Sequence, residues 1–227
     1  PTRRSSDLTA FSVPLGIVCS LFLAILLNQP IRGMNWFRTG YYVPSVVSGV
    51  AVALLWSQIF NPEFGVLNWL LWKLFRIRGP AWTFSEEWVI PAFIIMSLWR
   101  IGGGIVIYLA GLQSIPTELY EAAETDGATT WIKFSRITLP LLTPVLLFNL
   151  IMSIINSFQV FTEAFVMTSG GPYNASLFYN LYLYFNAFKW FKMGYASALA
   201  WVLFIIILLL TTLALKSSTK WVYYASE

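Results

Sequence analysis

The sequence contains no histidine, one cysteine and few charged residues. Without histidine, the chain lacks the commonest metal ligand and general base of proteins. Cys19 alone forms no disulfide within the chain and argues against a zinc site. The pattern G-x-x-x-x-G-K-[ST], whose backbone amides cradle phosphates, is also missing, so ATP is not bound in that way. These absences argue against histidine-based catalysis and against a metal site, and we expect no cofactor.

Charge is scarce along the whole chain. Only 11% of the 227 residues are charged and 58% are hydrophobic, whereas a soluble domain carries about 25% charged residues. The net charge of +4 is too small to indicate a nucleic-acid partner. A helix of about 20 apolar residues crosses the hydrocarbon core of a bilayer. The sequence therefore predicts an all-α, multi-pass protein of the lipid bilayer, with about five transmembrane helices at residues 9–28, 41–60, 89–112, 141–163 and 195–215.

Two further segments are rich in bulky apolar residues but are interrupted by asparagine and lysine. Residues 61–88 contain VLNWLLWKLF, and residues 164–193 contain SLFYNLYLYFNAFKWFKM. Tryptophan and tyrosine favour the membrane–water interface, because the ring is apolar and its polar end stays hydrated. We expect interfacial helices in both segments, and the alternative for each is a further buried pass.

The first eight residues, PTRRSSDL, differ in character from the apolar run that follows them. They resemble the translation of a sequencing adaptor that is fused to an incomplete reading frame. We therefore expect residues 1–8 to be a non-native segment and the membrane domain to cover residues 9–215. The alternative is a genuine basic amino terminus.

A polar segment at residues 114–139 separates the third apolar run from the fourth. Its periodicity predicts two short helices, the first with Glu118 and Glu121 on one face and apolar residues on another. Gly127 is expected to end the first helix, because glycine adopts the left-handed conformation at little cost. Pro140 marks the point where the next membrane helix begins. An amphipathic helix pair outside the membrane either docks into a partner or rests on lipid headgroups, and the residues alone favour neither.

Polar side chains recur along one face of the fourth span. They lie three or four residues apart, which is helical spacing: Asn149, Ser153, Asn156 and Ser157. Polar side chains in a bilayer helix face either a cavity or another helix, and both alternatives stay open here. Amides and hydroxyls suit a sugar, because sugar hydroxyls both donate and accept hydrogen bonds. The stripe is therefore a candidate substrate path.

Arg100 lies in the middle of the third span, within SLWRIGGG. A charge at that depth is costly and usually functional, and the alternative is an arginine held by backbone carbonyls of a neighbouring helix. Trp99 is expected to offer a flat apolar face to a sugar ring. The three glycines at residues 102–104 would let the helix bend or unwind, as helices of transporters do near their substrate.

Several motifs together resemble one family of membrane proteins. The EAA at residues 121–123, the DGA at 126–128, Phe134 and the ITLP at 137–140 are similar to the EAA signature of permease subunits in binding-protein-dependent ABC importers. The surrounding LAGLQSIPTELYEAAETDGA, the turn SGGP and MGYASALAWVLF resemble the sugar-importing, maltose-type permeases of that family. The resemblance covers residues 9–227.

The resemblance implies a type I ABC importer transmembrane domain in the inner (cytoplasmic) membrane of bacteria. The segment at residues 114–139 would be a cytoplasmic coupling elbow, residues 216–227 would be a cytoplasmic tail, and at least one helix would precede residue 9, so that the chain is truncated at its amino terminus. The elbow would dock into a groove of the ATP-binding subunit, and the helix that carries the polar stripe would contribute sugar contacts. The coupling residues implied by the signature are Glu121, Ala122, Ala123, Asp126, Gly127, Ala128, Phe134 and Pro140.

The function implied is that of a non-catalytic permease subunit, which translocates a sugar or oligosaccharide delivered by an extracytoplasmic sugar-binding protein. Its partners would be a second permease and two copies of an ATP-binding subunit, which hydrolyses the ATP. One alternative is the same machinery for another polar solute, such as a polyol or glycerol phosphate. Another is an ion-coupled secondary carrier, which usually places acidic groups or histidine inside the membrane. No carboxylate lies within the five spans except Glu163, at the end of one.

Overall fold

A computed structural model describes residues 2–223 of the chain, and within this range all regular secondary structure is helical. Two π-helical turns, at Phe134–Thr138 and Phe185–Lys189, extend the ends of α-helices. The α-helices are α1 (Thr2–Leu27), α2 (Met34–Val46), α3 (Gly49–Ile59), α4 (Val66–Phe75), α5 (Val89–Trp99), α6 (Gly102–Gln113), α7 (Thr117–Thr125), α8 (Thr130–Lys133), α9 (Leu139–Phe158), α10 (Thr162–Met167), α11 (Tyr179–Tyr184) and α12 (Met193–Ser218).

The apolar helices agree with the expected number of membrane spans. Three stretches are each long and apolar enough to cross a bilayer: Thr2–Leu27, Thr130–Met167 and Met193–Ser218. Two bent pairs, α2 with α3 and α5 with α6, raise the number to five if each pair is one span. The all-α membrane fold with about five spans is therefore confirmed.

The second span differs from the straight helix that the sequence predicts at residues 41–60. It begins earlier, at Met34, and bends by 98° between α2 and α3. Val47 and Ser48 adopt extended conformations at the bend, with ψ angles of 138° and 136°. Pro44, inside α2, lacks the N–H that would continue the hydrogen-bond ladder, so the helix is weakened just before it breaks.

The third span bends by 44° between α5 and α6, immediately before the three glycines. Arg100 and Ile101 form the break, and Gly102 begins α6. A carbon atom at the Cβ position of Gly102 would lie 2.2 Å from the carbonyl oxygen of Tyr41. The backbones of α2 and α6 therefore meet at a point where only glycine fits.

The first residues of the chain belong to α1. Ser5 is fully buried, and its hydroxyl accepts a hydrogen bond from the backbone N–H of Tyr179 at 3.0 Å. Leu8 is buried among the side chains of the largest apolar cluster. Residues 2–8 are thus part of the packed fold, whereas we expected the fold to begin at residue 9. The adaptor origin of residues 1–8 stays a prediction, and residue 1 lies outside the described residues.

Three apolar clusters hold the helices together. The largest joins α3, α5 and the chain around α10 and α11, and Phe60, Phe93 and Phe178 lie at its centre. The second joins α1, α6 and α9. The third packs Leu203 of α12 against α9 and α11. Because α12 exposes large apolar side chains along most of its length, we expect this helix to face lipid.

The two segments expected at the interface differ from each other. In residues 61–88, α4 exposes apolar side chains, and buried Asn68 holds the following turn by accepting a hydrogen bond from Nε1 of Trp82 at 2.7 Å. In residues 164–193, α11 and the π-helical turn bury several side chains against α1 and α12. This second segment is therefore more enclosed than a helix lying on a surface, because its aromatic side chains pack into the core.

The end of the chain continues α12 beyond the predicted boundary at residue 216, as far as Ser218. The backbone N–H of Tyr223 donates a 2.8 Å hydrogen bond to the hydroxyl of Thr143, near the start of α9. The last four residues of the predicted tail, 224–227, lie outside the described residues. A cytoplasmic location of this tail stays a prediction.

Candidate functional site: a polar cavity and a helical elbow

A cavity of about 640 Å³ lies between α1, α5, α6 and α9, and we call it the main cavity. All four members of the predicted polar stripe line it: Asn149, Ser153, Asn156 and Ser157. The stripe runs from buried Asn149 to exposed Asn156, so it extends along the cavity wall from the interior to the surface of the molecule. The four-residue and three-residue spacing on α9 places them on one face, and that face is turned towards the cavity.

The four side chains of the stripe differ in the hydrogen bonds that they form. The Ser157 hydroxyl lies 2.9 Å from the Thr9 hydroxyl of α1, so this side chain links two helices. The Asn149 side-chain nitrogen donates to the carbonyl of Val145 at 3.1 Å, within its own helix. Within residues 2–223, neither Ser153 nor Asn156 forms a side-chain hydrogen bond. These two side chains remain available to a solute.

Arg100 also lines the main cavity and forms an ion pair there. Its Nη1 lies 2.7 Å from Oε1 of Glu163, in the first turn of α10. The partner is a carboxylate 63 residues further along the chain, rather than the backbone carbonyls of a neighbouring helix that we considered as the alternative. The pair connects the break between α5 and α6 to α10.

The elbow consists of α7, a turn around Gly127, and α8, as the sequence predicts. The N–H of Ala128 donates to the carbonyl of Ala123 at 2.8 Å, and the N–H of Gly127 donates to that of Glu124 at 3.0 Å. Gly127 has a φ of +76°. This is a Schellman motif, which ends a helix with a residue in the left-handed conformation and satisfies its last carbonyls. The EAA and DGA motifs therefore contain the residues that build this helix end.

Two side-chain contacts hold the arms of the elbow together across the turn. Nζ of Lys133 lies 2.5 Å from Oε1 of Glu124. The hydroxyl of Tyr120, on α7, lies 2.9 Å from that of Thr138, in the first π-helical turn. The two arms of the elbow are therefore joined by side-chain contacts as well as by the turn between them.

The outer surface of the elbow combines acidic and apolar side chains. Glu121, Ala122, Asp126 and Gly127 are exposed, and Ala123 and Ala128 are half-buried. Trp131 is 72% exposed, although an exposed tryptophan is unusual outside a lipid or protein contact. The two remaining predicted coupling residues lie where this surface joins α9. Phe134, half-buried, packs against Trp131 with ring centroids 5.7 Å apart, and Pro140 lies in the first turn of α9.

Comparison with known proteins identifies the family. Residues 12–222 match the model of the family described as "Binding-protein-dependent transport system inner membrane component". The chain belongs to this family. It is therefore a permease of an ABC transport system and an integral protein of the inner membrane, in a family whose members are generally not catalytic.

The relatives of the permease cover most of its length. It is 42% identical over 218 residues to "Probable ABC transporter permease protein YesP" of Bacillus subtilis, with 95% of this chain and 70% of that protein covered. It is 36% identical over 207 residues to "Lactose transport system permease protein LacF" of Rhizobium radiobacter, covering 88% and 69%.

Among solved structures, the permease matches a chain of a bacterial alginate ABC transporter in complex with an alginate pentasaccharide-bound periplasmic protein. The TM-score is 0.86 with 26% sequence identity, covering 96% of this chain and 76% of the other. The type I importer fold expected from the sequence agrees with this match.

Trp99 of the permease does not line the main cavity. It packs edge-on against Trp56, with ring centroids 6.1 Å apart, and lines a separate apolar cavity of about 460 Å³ together with Tyr41 and Pro44. Trp99 is the last residue of α5 and Arg100 lies in the break that follows, so the two side chains face different neighbours. The structure therefore does not bring Trp99 together with the other predicted substrate residues.

Two residues of the cavity wall were not predicted from the sequence. Tyr108 is fully buried, and no residue among the described ones forms a hydrogen bond with its hydroxyl. Leaving such a group without a partner costs about 1–3 kcal/mol, which a solute or water in the cavity would offset. Glu163 is the second such residue. The sequence does contain a clue to its pairing with Arg100. Glu163 is the one acid at the end of a predicted span, and Arg100 is the one charged residue inside another.

Proposed function

We propose that the permease imports a sugar or oligosaccharide, and that its main cavity is part of the sugar path. The observation that carries this proposal is the uncharged polar stripe on α9, whose four members all line the cavity. Amides and hydroxyls match the alternating donors and acceptors of a sugar. The volume of about 640 Å³ falls within the range of about 300–1,000 Å³ that small-molecule sites occupy.

The names of the relatives support the same solute class. They include permeases of lactose, arabinooligosaccharide and trehalose/maltose transport systems. The matched transporter structure contains an alginate-bound periplasmic protein. We therefore propose that an extracytoplasmic sugar-binding protein delivers the solute to this permease.

We assign the energy source to a separate subunit. The chain contains no phosphate-binding loop. The elbow exposes Glu121 and apolar side chains such as Trp131, and we propose that this surface docks into a groove of the ATP-binding subunit. The proposed assembly contains this permease, a second permease, two copies of the ATP-binding subunit and the sugar-binding protein. The eight coupling residues named from the signature form the proposed contact, and the stripe with Arg100 forms the proposed sugar path.

One observation favours the alternative of an ion-coupled carrier. Glu163 is a carboxylate on the wall of an intramembrane cavity, which is where proton- and sodium-coupled carriers place their acids. Here its charge is matched by Arg100 at 2.7 Å. The two mechanisms differ in what they require for uptake.

We expect transport to depend on ATP and to need no ion gradient. The test is uptake of labelled sugar into vesicles that hold the complex of the full-length permease with its partner subunits. ATP is supplied to the ATP-binding side, and ionophores remove proton and sodium gradients. Uptake should continue with ionophores and stop without ATP. Uptake that stops with the ionophores although ATP is present would establish an ion-coupled carrier instead.

Truncation of the stripe is expected to weaken transport without disassembling the complex. Ser153→Ala and Asn156→Ala each remove one or two hydrogen bonds to the sugar, worth about 0.5–1.5 kcal/mol each, or roughly 2- to 12-fold in affinity. Ser57→Ala is the matched control, because its hydroxyl bonds Ala53 within α3 and does not line the cavity. The measurements are the half-saturating sugar concentration for uptake and the yield of assembled complex. If both stripe variants lose only assembly, the stripe is helix packing and not a sugar path.

A further inference from the structure

The main cavity contains one positive and one negative side chain, and they are paired with each other. Among residues 2–223, the charged side chains of its wall are Arg100 and Glu163. The side chain of Arg100 is 34% exposed and that of Glu163 is 15% exposed. Partly buried charges are screened by salt less than surface charges are. The wall therefore carries two charges and no net charge.

Glu163 also lies near a second element besides Arg100. A carbon atom at the Cβ position of Gly49 would lie 3.5 Å from Oε1 of Glu163. Gly49 is the first residue of α3, which has 11 residues. The N-terminus of a helix carries partial positive charge and attracts a carboxylate. Glu163 thus bonds a guanidinium group and lies close to the start of a helix.

The pairing decides what Arg100 can offer to a solute. A free arginine in a cavity binds carboxylates, sulfonates and phosphates through two parallel hydrogen bonds. Here Nη1 already donates to Glu163 at 2.7 Å. An anionic sugar would have to displace that carboxylate or lie beside its negative charge, whereas an uncharged sugar meets only amides, hydroxyls and a balanced pair.

We infer that the Arg100–Glu163 pair makes this permease select uncharged sugars over uronates and other anionic sugars. The inference rests on the proposed function and adds the substrate class. The comparisons leave this choice open, because they include a lactose permease and a transporter of "the acidic polysaccharide alginate". Specificity of this kind comes from a charge that opposes the wrong ligand rather than from a stronger contact with the right one.

The first test compares sugars on the unaltered protein. Galactobiose, cellobiose and maltose are each paired with the same disaccharide oxidised at C6 to the uronate. Equilibrium dialysis against the purified complex of permease and partner subunits, without the sugar-binding protein, measures the affinity of the permease path alone. For the pair that binds best, we expect the uncharged sugar to bind about tenfold or more tightly than its uronate.

The second test removes the negative partner and keeps the arginine. Glu163→Gln is nearly isosteric and leaves Arg100 free to bind a carboxylate. We expect this variant to lower the preference for the uncharged sugar by about tenfold or to reverse it. In the double variant Arg100→Gln/Glu163→Gln no cation remains, so the gain in affinity for the uronate should disappear. The change caused by Glu163→Gln must therefore depend on Arg100.

Three outcomes would overturn the inference in different ways. If the unaltered complex binds uronates as tightly as uncharged sugars, the pair does not select charge, although sugar import stands. If Glu163→Gln still binds uncharged sugars but gains no affinity for uronates, Arg100 is not the group that Glu163 blocks. If no disaccharide of either charge binds and the uptake assay also shows no sugar transport, the proposed function fails and the inference falls with it. If Glu163→Gln does not assemble, the comparison of uncharged sugars with uronates on the unaltered protein still tests whether the permease selects against charge.

Discussion

Replacing Gly127 by valine is expected to uncouple ATP hydrolysis from transport. Gly127 has a φ of +76°, and no atom lies within 4 Å of the position that its Cβ would occupy. The penalty is therefore one of backbone conformation, about 1–2 kcal/mol for a left-handed residue and larger for a β-branched one. Relief requires the turn to open, which breaks the two Schellman hydrogen bonds and redirects α8. The membrane helices contain none of these groups and should insert normally.

The measurements for this prediction are co-purification of the ATP-binding subunit and sugar uptake, at equal permease abundance. Gly127→Asn is the matched control, because asparagine tolerates the left-handed conformation and should keep most of both activities. Parental uptake and binding in the valine variant would show that the geometry of the elbow is not used for coupling.

The coupling role of the elbow is also tested by changing the charge of Glu121, which is exposed on the outer surface of α7. The resemblance to the EAA signature implies that this carboxylate meets a basic residue of the ATP-binding subunit. A charge-assisted contact of this kind contributes about 1.5–3 kcal/mol. Glu121→Lys places like charges together and should weaken the complex more than Glu121→Gln does. Glu63→Lys, outside the elbow, controls for charge reversal itself. Equal binding of the ATP-binding subunit by all three variants would exclude the proposed contact.

Replacing Gly102 by alanine is expected to cause a large loss of stability. The added carbon would lie 2.2 Å from the carbonyl oxygen of Tyr41 and 3.0 Å from Cα of Tyr42. Both are backbone atoms, so no side-chain rotation relieves the clash, and α2 and α6 must separate. Overpacking of this kind costs roughly 1–3 kcal/mol or more, which corresponds to about 2–12 °C in melting temperature for a chain of this size.

The control for Gly102 is its neighbour in the same helix. Gly103→Ala adds the same methyl group at a position where no atom lies within 4 Å, and alanine is the better helix former. We expect its melting temperature in detergent to equal or exceed that of the parent. If the two alanine variants have the same melting temperature, the close approach of α2 to α6 does not constrain this fold.

The sequence predicts the parts of this fold that depend on local pattern. Long apolar runs identify the spans because the length of a run is itself the physical requirement for crossing a bilayer. Gly127 is identified as the end of α7 because a left-handed residue favours glycine. The stripe on α9 is predicted to share one face because helical spacing fixes relative direction within an unbroken helix.

What the sequence does not predict are features that depend on direction between helices. The bend of 98° between α2 and α3 leaves the hydropathy of the span unchanged. Trp99 and Arg100 are neighbours in the chain, but the helix ends between them and they contact different elements. The partner of Arg100 lies 63 residues away, and only the packing of α10 near the start of α3 brings Glu163 to it.

No loop separates the second arm of the elbow from the part of α9 that lines the cavity. α8, the π-helical turn at Phe134–Thr138 and α9 form one continuous rod over residues 130–158. Lys133 and Asn149 are separated by about 24 Å along such a rod, at 1.5 Å per residue. A torque applied to the elbow is therefore transmitted to the cavity wall by the backbone itself, with no exchange of side-chain partners on the way. The π-helical turn and Pro144, which has no N–H to donate inside α9, are two places where this rod departs from a regular α-helix. We expect the torsional stiffness of the rod to set how far the stripe rotates for a given displacement of the elbow.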